Sequence, residues 1–203
     1  MQDTYLTIAA PSEGVYTEKR SKFIALAYPV GTVEEARAKV EMCQKKYYDA
    51  RHVCYAYMLG PERSVYRAND NGEPSGTAGK PILGQINSRG LTDILIVVVR
   101  YFGGIKLGTG GLTVAYKTAA AEALTAATTV ERIVCDNVSL RFPYPAMNDV
   151  MRIVGSVGAE VIDRGYDTAC TMTLRIRRTL TDELRSRLSK VDGLEFPDSL
   201  PPV

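Results

Sequence analysis

The stretch Asp93-Ile94-Leu95-Ile96-Val97-Val98-Val99-Arg100-Tyr101-Phe102-Gly103-Gly104-Ile105-Lys106-Leu107-Gly108-Thr109-Gly110-Gly111-Leu112 decides how the larger part of this chain folds. Residues 94–99 are an unbroken, largely β-branched apolar run, which suits a strand covered on both faces. It is the longest run in the chain built only of Ile, Leu and Val, and no apolar run exceeds seven residues. A bilayer crossing needs roughly 20 apolar residues, so no transmembrane helix and no membrane partner are expected. The glycine-rich run after the strand leads into an alanine-rich helix over residues 112–127. Strand, glycine loop and helix in that order bring free amides and a helix dipole together, the physical basis of an anion site.

Towards the N-terminus the pattern predicts a strand near residues 5–8. Another spans 15–28 and is interrupted by Lys19-Arg20-Ser21-Lys22. Thr32-Val33-Glu34-Glu35 is a capping box, so a helix opens there and runs to about residue 47. Strands follow at 53–59 and 64–68 around the Gly60-Pro61 turn. Residues 69–80 are too rich in Gly, Pro, Ser and Asn for either regular element and form a long loop. Ten of the 17 glycines lie between residues 72 and 111, which concentrates the candidate function there.

Towards the C-terminus the pattern changes. Val138, Leu140 and Phe142 alternate with polar residues as a half-buried strand, and Met147, Val150, Met151 and Val154 form one helical stripe ending at Gly155 to Gly158. Strands at 159–163 and 168–177, joined by a turn around Gly165, precede a second helix opened by Asp182 and Glu183, where acids suit the positive dipole end. Residues 194–196 supply a last short strand. The order βαββαβ is that of the ferredoxin-like unit. The predicted class is therefore α+β with two domains, residues 1–131 and 134–203.

The 203 residues are 45% hydrophobic and 24% charged with a net charge of +2. That balance fits a folded globular protein and excludes disordered and collagen-like chains. Residues up to 132 carry 16 basic against 13 acidic side chains, and the rest 9 against 10, so any anion site must be local. The first residues lack the basic and apolar regions of a secretory signal. The four cysteines, Cys43, Cys54, Cys135 and Cys170, form no CxxC pair, so reduced, mostly buried thiols in a cytoplasmic protein are expected.

The candidate anion or nucleic-acid contacts are Arg100, Gly103, Gly104, Lys106, Gly108, Gly110 and Gly111, with Lys80 from the first glycine loop. Known phosphate motifs do not fit. A Walker sequence would need glycine at Pro74 and Ser or Thr at Pro81, and a dinucleotide fingerprint starting at Gly108 would need glycine at Thr113. The plain alternative is that both loops merely pack tightly on the sheet. His52, Asp70, Glu73, Ser75 and Thr77 belong to the candidate motif around the first loop. Asp70 and Glu73 could act as an acid and base pair, or as metal ligands, but solvated loop charges are the simpler reading. His52 and Cys54 share a strand face at a rise of roughly 7 Å, too far for direct thiol activation. No catalytic residue, metal site or cofactor is assigned.

Three blocks, Arg51-His52-Val53-Cys54-Tyr55-Ala56-Tyr57, residues 71–82 and residues 98–112, resemble the YigZ and Impact family in the right order. The βαββαβ tail resembles the extra domain of its bacterial members. The resemblance implies a first domain folded as a sandwich like domain 2 of ribosomal protein S5, and a second like the C-terminal ferredoxin-like domain V of elongation factor G. It also implies work near translation, since the eukaryotic members restrain a starvation-responsive kinase. Asn71 stands where the family commonly has aspartate, and Val114 where an arginine often precedes Ala-Tyr. The expected function is a noncatalytic, translation-associated regulator that binds RNA phosphate or the ribosome, without DNA specificity. The alternatives are an enzyme acting on a phosphorylated or anionic small molecule, and a module that docks a protein partner.

Overall fold

The computed structural model describes residues 3–197. Residues 1–2 and 198–203, the outer ends of the two expected domain spans, lie outside them. The chain divides into two compact units, one over Tyr5–Arg132, the other joining residues 3–4 to 133–197.

In the first unit β1 (Thr4–Ile8) is followed by β2 (Ser12–Glu18), β3 (Ser21–Pro29), α1 (Val33–Lys46), β4 (His52–Leu59) and β5 (Val65–Asn69). Then come α2 (Gly79–Ser88), β6 (Ile94–Tyr101), α3 (Gly108–Ala126) and β7 (Thr129–Ile133). Five strands form an antiparallel sheet in the order β2-β3-β6-β4-β5, and β1 pairs with β7 in a separate two-stranded sheet. β6 occupies the centre, and its residues from Ile94 to Arg100 are all buried, as an apolar run on both faces requires. One face, with Phe23, Cys54, Ala56, Ile96 and Val98, packs on α2 and α3. The other, with Ile24, Leu26, Val53, Val97 and Val99, packs on α1. α1 starts at the capping box: Glu35 N–H donates to Thr32 Oγ1 (3.1 Å), and Glu35 Oε2 accepts from Gly31 N–H (2.7 Å).

Three expectations change here. The interrupted strand over 15–28 is a hairpin, reversed by Lys19 and Arg20, whose φ of 46° and 66° lie in the left-handed region. The sequence reading assigns no element to residues 81–92, yet α2 covers most of them. Ile82 and Ile86, one turn apart, are both fully buried and anchor it, which outweighs the unfavourable Gly84 inside it. α3 begins at Gly108, four residues before the predicted start, so Gly110 and Gly111 are helical rather than part of the loop.

The second unit contains β8 (Cys135–Phe142), α4 (Met147–Val157), β9 (Glu160–Tyr166), β10 (Cys170–Arg177) and α5 (Thr181–Leu188), with strand order β8-β10-β9. Val138, Leu140, Phe142, Met172, Leu174 and Ile176 form its core with Val150, Val154, Leu184 and Leu188. Gly158, at φ 70°, caps α4 in the left-handed conformation. Gly165 lies inside β9, so the turn falls at residues 167–169 instead. The last strand shrinks to one bridge, Glu195 to Arg141, on the free side of β8, where the fourth strand of a ferredoxin-like sheet belongs. The two-domain α+β class stands.

Candidate functional site

Antiparallel pairing brings the sequence-distant loops to one end of the first unit's sheet. Arg100, near the end of β6, lies across from His52 on one side and Phe23 on the other, and Lys22 faces Tyr101. The β2–β3 turn, the β6–α3 loop and the start of β4 therefore sit side by side. Gly103 lies so close to the turn that a Cβ on it would fall 2.1 Å from the carbonyl carbon of Arg20, and its N–H donates to Ser21 Oγ (3.2 Å). The expectation of tight packing holds at this glycine.

Between the loops opens a pocket of about 520 Å³. Its lining includes Arg51, His52, Glu73, Arg100, Phe102 and Lys106, and the first turn of α3 at Gly108 and Thr109. The volume falls within the common range for small-ligand sites. α3 starts without a side-chain cap, so its first amides carry the positive end of a 19-residue helix dipole into this space. Lys106 and Arg51 are exposed at the rim.

Arg100 corrects the sequence reading, because it is no free cation. It is 6% exposed, and its Nη1 donates to Glu73 Oε1 at 2.6 Å. Its guanidinium carbon lies 5.5 Å from the Phe23 ring and 5.6 Å from the Phe102 ring. Among the described residues its Nε is buried with no hydrogen-bond partner. Glu73 Oε1 also accepts from the Tyr116 hydroxyl (2.8 Å), and the Cys54 thiol lies 3.3 Å from that hydroxyl. Burial pushes the Cys54 thiol up to about 12 and drives the Tyr116 hydroxyl well above its ordinary range, with Cys54 and Glu73 adding to the latter shift. Cys54 is therefore a neutral thiol at physiological pH, and its partners are Tyr116 and the Asp70 carbonyl rather than His52. His52 Nδ1 is 2.8 Å from the Asn71 carbonyl, and Nε2 is 3.8 Å from Glu73.

Asp70 and Thr77 shape the first loop and do not line the pocket. Asp70 accepts from the amides of Gly76, Ala78 and Gly79 at 2.8 to 3.0 Å. Burial works to raise its carboxyl, but these amides and Lys80 outweigh it and hold the group below its ordinary value. Thr77 donates to the Pro74 carbonyl (2.6 Å). Ser75 and Lys80 are exposed and outside the pocket lining, with the Lys80 side chain beside Gly76. Gly104, like Gly103, belongs to the β6–α3 loop. Asn71, in place of the family's aspartate, accepts from Val53 N–H (2.8 Å) and fastens the loop to β4. Among the described residues no group of three or more His, Cys, Asp or Glu is arranged to hold a metal ion. Sequence reasoning did not find Arg51, Phe102 or Tyr116 as parts of the site, since Tyr116 meets Glu73 across 43 residues.

Residues 19–124, the segment that builds both loops and the pocket, match the Impact N-terminal domain. The chain belongs to the Impact family. It is 34% identical to IMPACT family member YigZ of Escherichia coli over 92% of this chain and 93% of that protein. It is 42% identical to IMPACT family member YvyE of Bacillus subtilis over 65% of this chain and 61% of that protein. A crystal structure of a hypothetical protein superposes with a TM-score of 0.78 at 32% identity, each chain covered completely. The pocket thus lies within the part of the chain that defines Impact membership. Among the described residues no helix is long and apolar enough to cross a membrane.

Proposed function

We propose that this protein is a translation-associated regulator that binds RNA phosphate, free or on the ribosome, at the pocket between its two glycine loops. The observation that carries the reading is the uncapped N-terminus of α3, opening into a pocket rimmed by the exposed Arg51 and Lys106. Donors and positive charge suffice to recognise a phosphate, and no acid and base pair is required. Glu73, the carboxylate best placed for chemistry, is already committed to Arg100 and Tyr116, which favours binding over catalysis. Family membership supports the link to translation that the resemblance implies. The four free thiols fit work in the cytoplasm.

The test is co-sedimentation with ribosomes and with free RNA at low and moderate salt, comparing wild type with Arg51→Ala plus Lys106→Ala. Both side chains are exposed, so the double variant should fold normally. Salt-sensitive binding that weakens in the variant, with a log–log salt slope smaller by about one per lost phosphate contact, supports the reading. Absence of binding at low salt overturns it.

A further inference from the structure

Phe102 directly follows β6. It is an aromatic side chain 49% exposed at the mouth of the pocket. Its ring is backed by the Arg100 guanidinium, which is itself held by the Phe23 ring and by Glu73. Phe23 in turn meets Tyr116 edge to face at 5.1 Å. A ring supported in this way on a buried, ion-paired arginine is a rigid platform, and rigidity lowers the ordering cost of stacking a flat ligand on it. The same arginine is more than nine-tenths buried, lines the pocket, and has an Nε without a partner among the described residues. A flat apolar group, from Phe102, and positive charge, from Lys106 and the first turn of α3, thus meet at one pocket.

The positive charge extends beyond the pocket. Lys19, Arg20, Lys22, Arg51 and Lys106 are all exposed at the same end of the sheet, with the Arg20 backbone against Gly103. The nearby acids Glu18 and Asp49 are engaged with the hydroxyls of Tyr16 and Tyr101. A single phosphate needs one or two of these cations. A row of them leading from an aromatic platform suits a polyanion with unstacked bases.

Resting on the reading above, we propose that the ligand is single-stranded RNA. One base stacks on Phe102, its phosphate lies against Lys106 and the first turn of α3, and the strand leaves over the Lys19-Arg20 turn. Base stacking on an aromatic ring does not depend on base identity, so no sequence preference follows. A duplex, whose bases are already stacked on one another, cannot use the platform.

The experiment is fluorescence anisotropy with a labelled oligouridylate about ten nucleotides long, with competition by an RNA duplex of similar length and by uridine monophosphate. The variants are Phe102→Ala, Phe102→Leu, Phe102→Trp, and Lys19→Ala plus Arg20→Ala. The expected result is that the single strand binds more tightly than the duplex or the mononucleotide. Phe102→Ala and Phe102→Leu should weaken it about tenfold, Phe102→Trp should retain it, and the turn variant should flatten its salt dependence. RNA binding that is indifferent to Phe102→Leu, or equally tight for duplex, overturns the proposal and leaves the phosphate reading standing. Mononucleotide binding as tight as the oligomer assigns the pocket to a free nucleotide and also overturns it. If none of the three RNA ligands binds wild type at low salt, both readings fail.

Discussion

At the scale of single residues the centre of the site is an ion pair rather than an open cation. Arg100 and Glu73 have side chains 7% and 3% exposed, and breaking a pair so deeply buried leaves an uncompensated polar group in a medium that cannot solvate it. Glu73→Gln is expected to destabilise the first unit by about 3 kcal/mol in urea unfolding. Arg100→Met combined with Glu73→Leu, which removes both partners, should lose clearly less than the two single changes added together. Additive losses would mean that the two side chains are not coupled. The sequence shows why Arg100 attracts attention, as a cation beside a glycine loop. It cannot show that a carboxylate 27 residues away neutralises it, because no local period relates the two positions.

At the scale of elements, periodicity is informative wherever one face of a strand or helix is buried over several residues, as in β8, α4 and β10, while an unbroken apolar run marks β6 and a capping box marks α1. Periodicity fails where the fold is decided by contacts with other elements. α2 is short and carries two glycines, and its two buried isoleucines are too few to announce a helix. The fourth strand of the second unit has one bridge and no ladder. The β6–α3 loop depends on a close approach that only glycine allows at one position. Gly103→Ala should push the loop off the Lys19-Arg20 turn and lower the unfolding midpoint of the first unit. Ala at the exposed Gly104 has open space around its Cβ and should cost only the strain of its φ of 87°. Paired thermal melts separate the two effects, and an equal shift for both would argue against the close approach as the cause.

At the scale of the whole molecule, each unit has its own core, and the second also takes in the start of the chain. Asp3 receives hydrogen bonds from Thr179 (2.9 Å) and Arg177, and these hold its carboxyl down at about 2 against an ordinary 3.8. A carboxyl depressed by folding stabilises the native state at all pH values above its unfolded value, and that contribution fades as the pH falls towards about 2. Asp3→Asn should therefore lower the stability of the second unit at neutral pH and flatten its decline below pH about 4, as followed by acid titration of the unfolding midpoint. The Asp70 carboxyl, depressed in the first unit, titrates in the same direction and is unaffected by this change. The hairpin between β2 and β3 has a different implication. Lys19 and Arg20 occupy the two backbone positions where Asn-Gly would rest without strain, so the turn holds its charge at the expense of its own comfort. That gives it the value of a fossil in sequence comparison. A lineage that kept this architecture but abandoned its polyanion would have nothing to preserve the basic pair, and drift towards Asn-Gly at these two positions would date the loss.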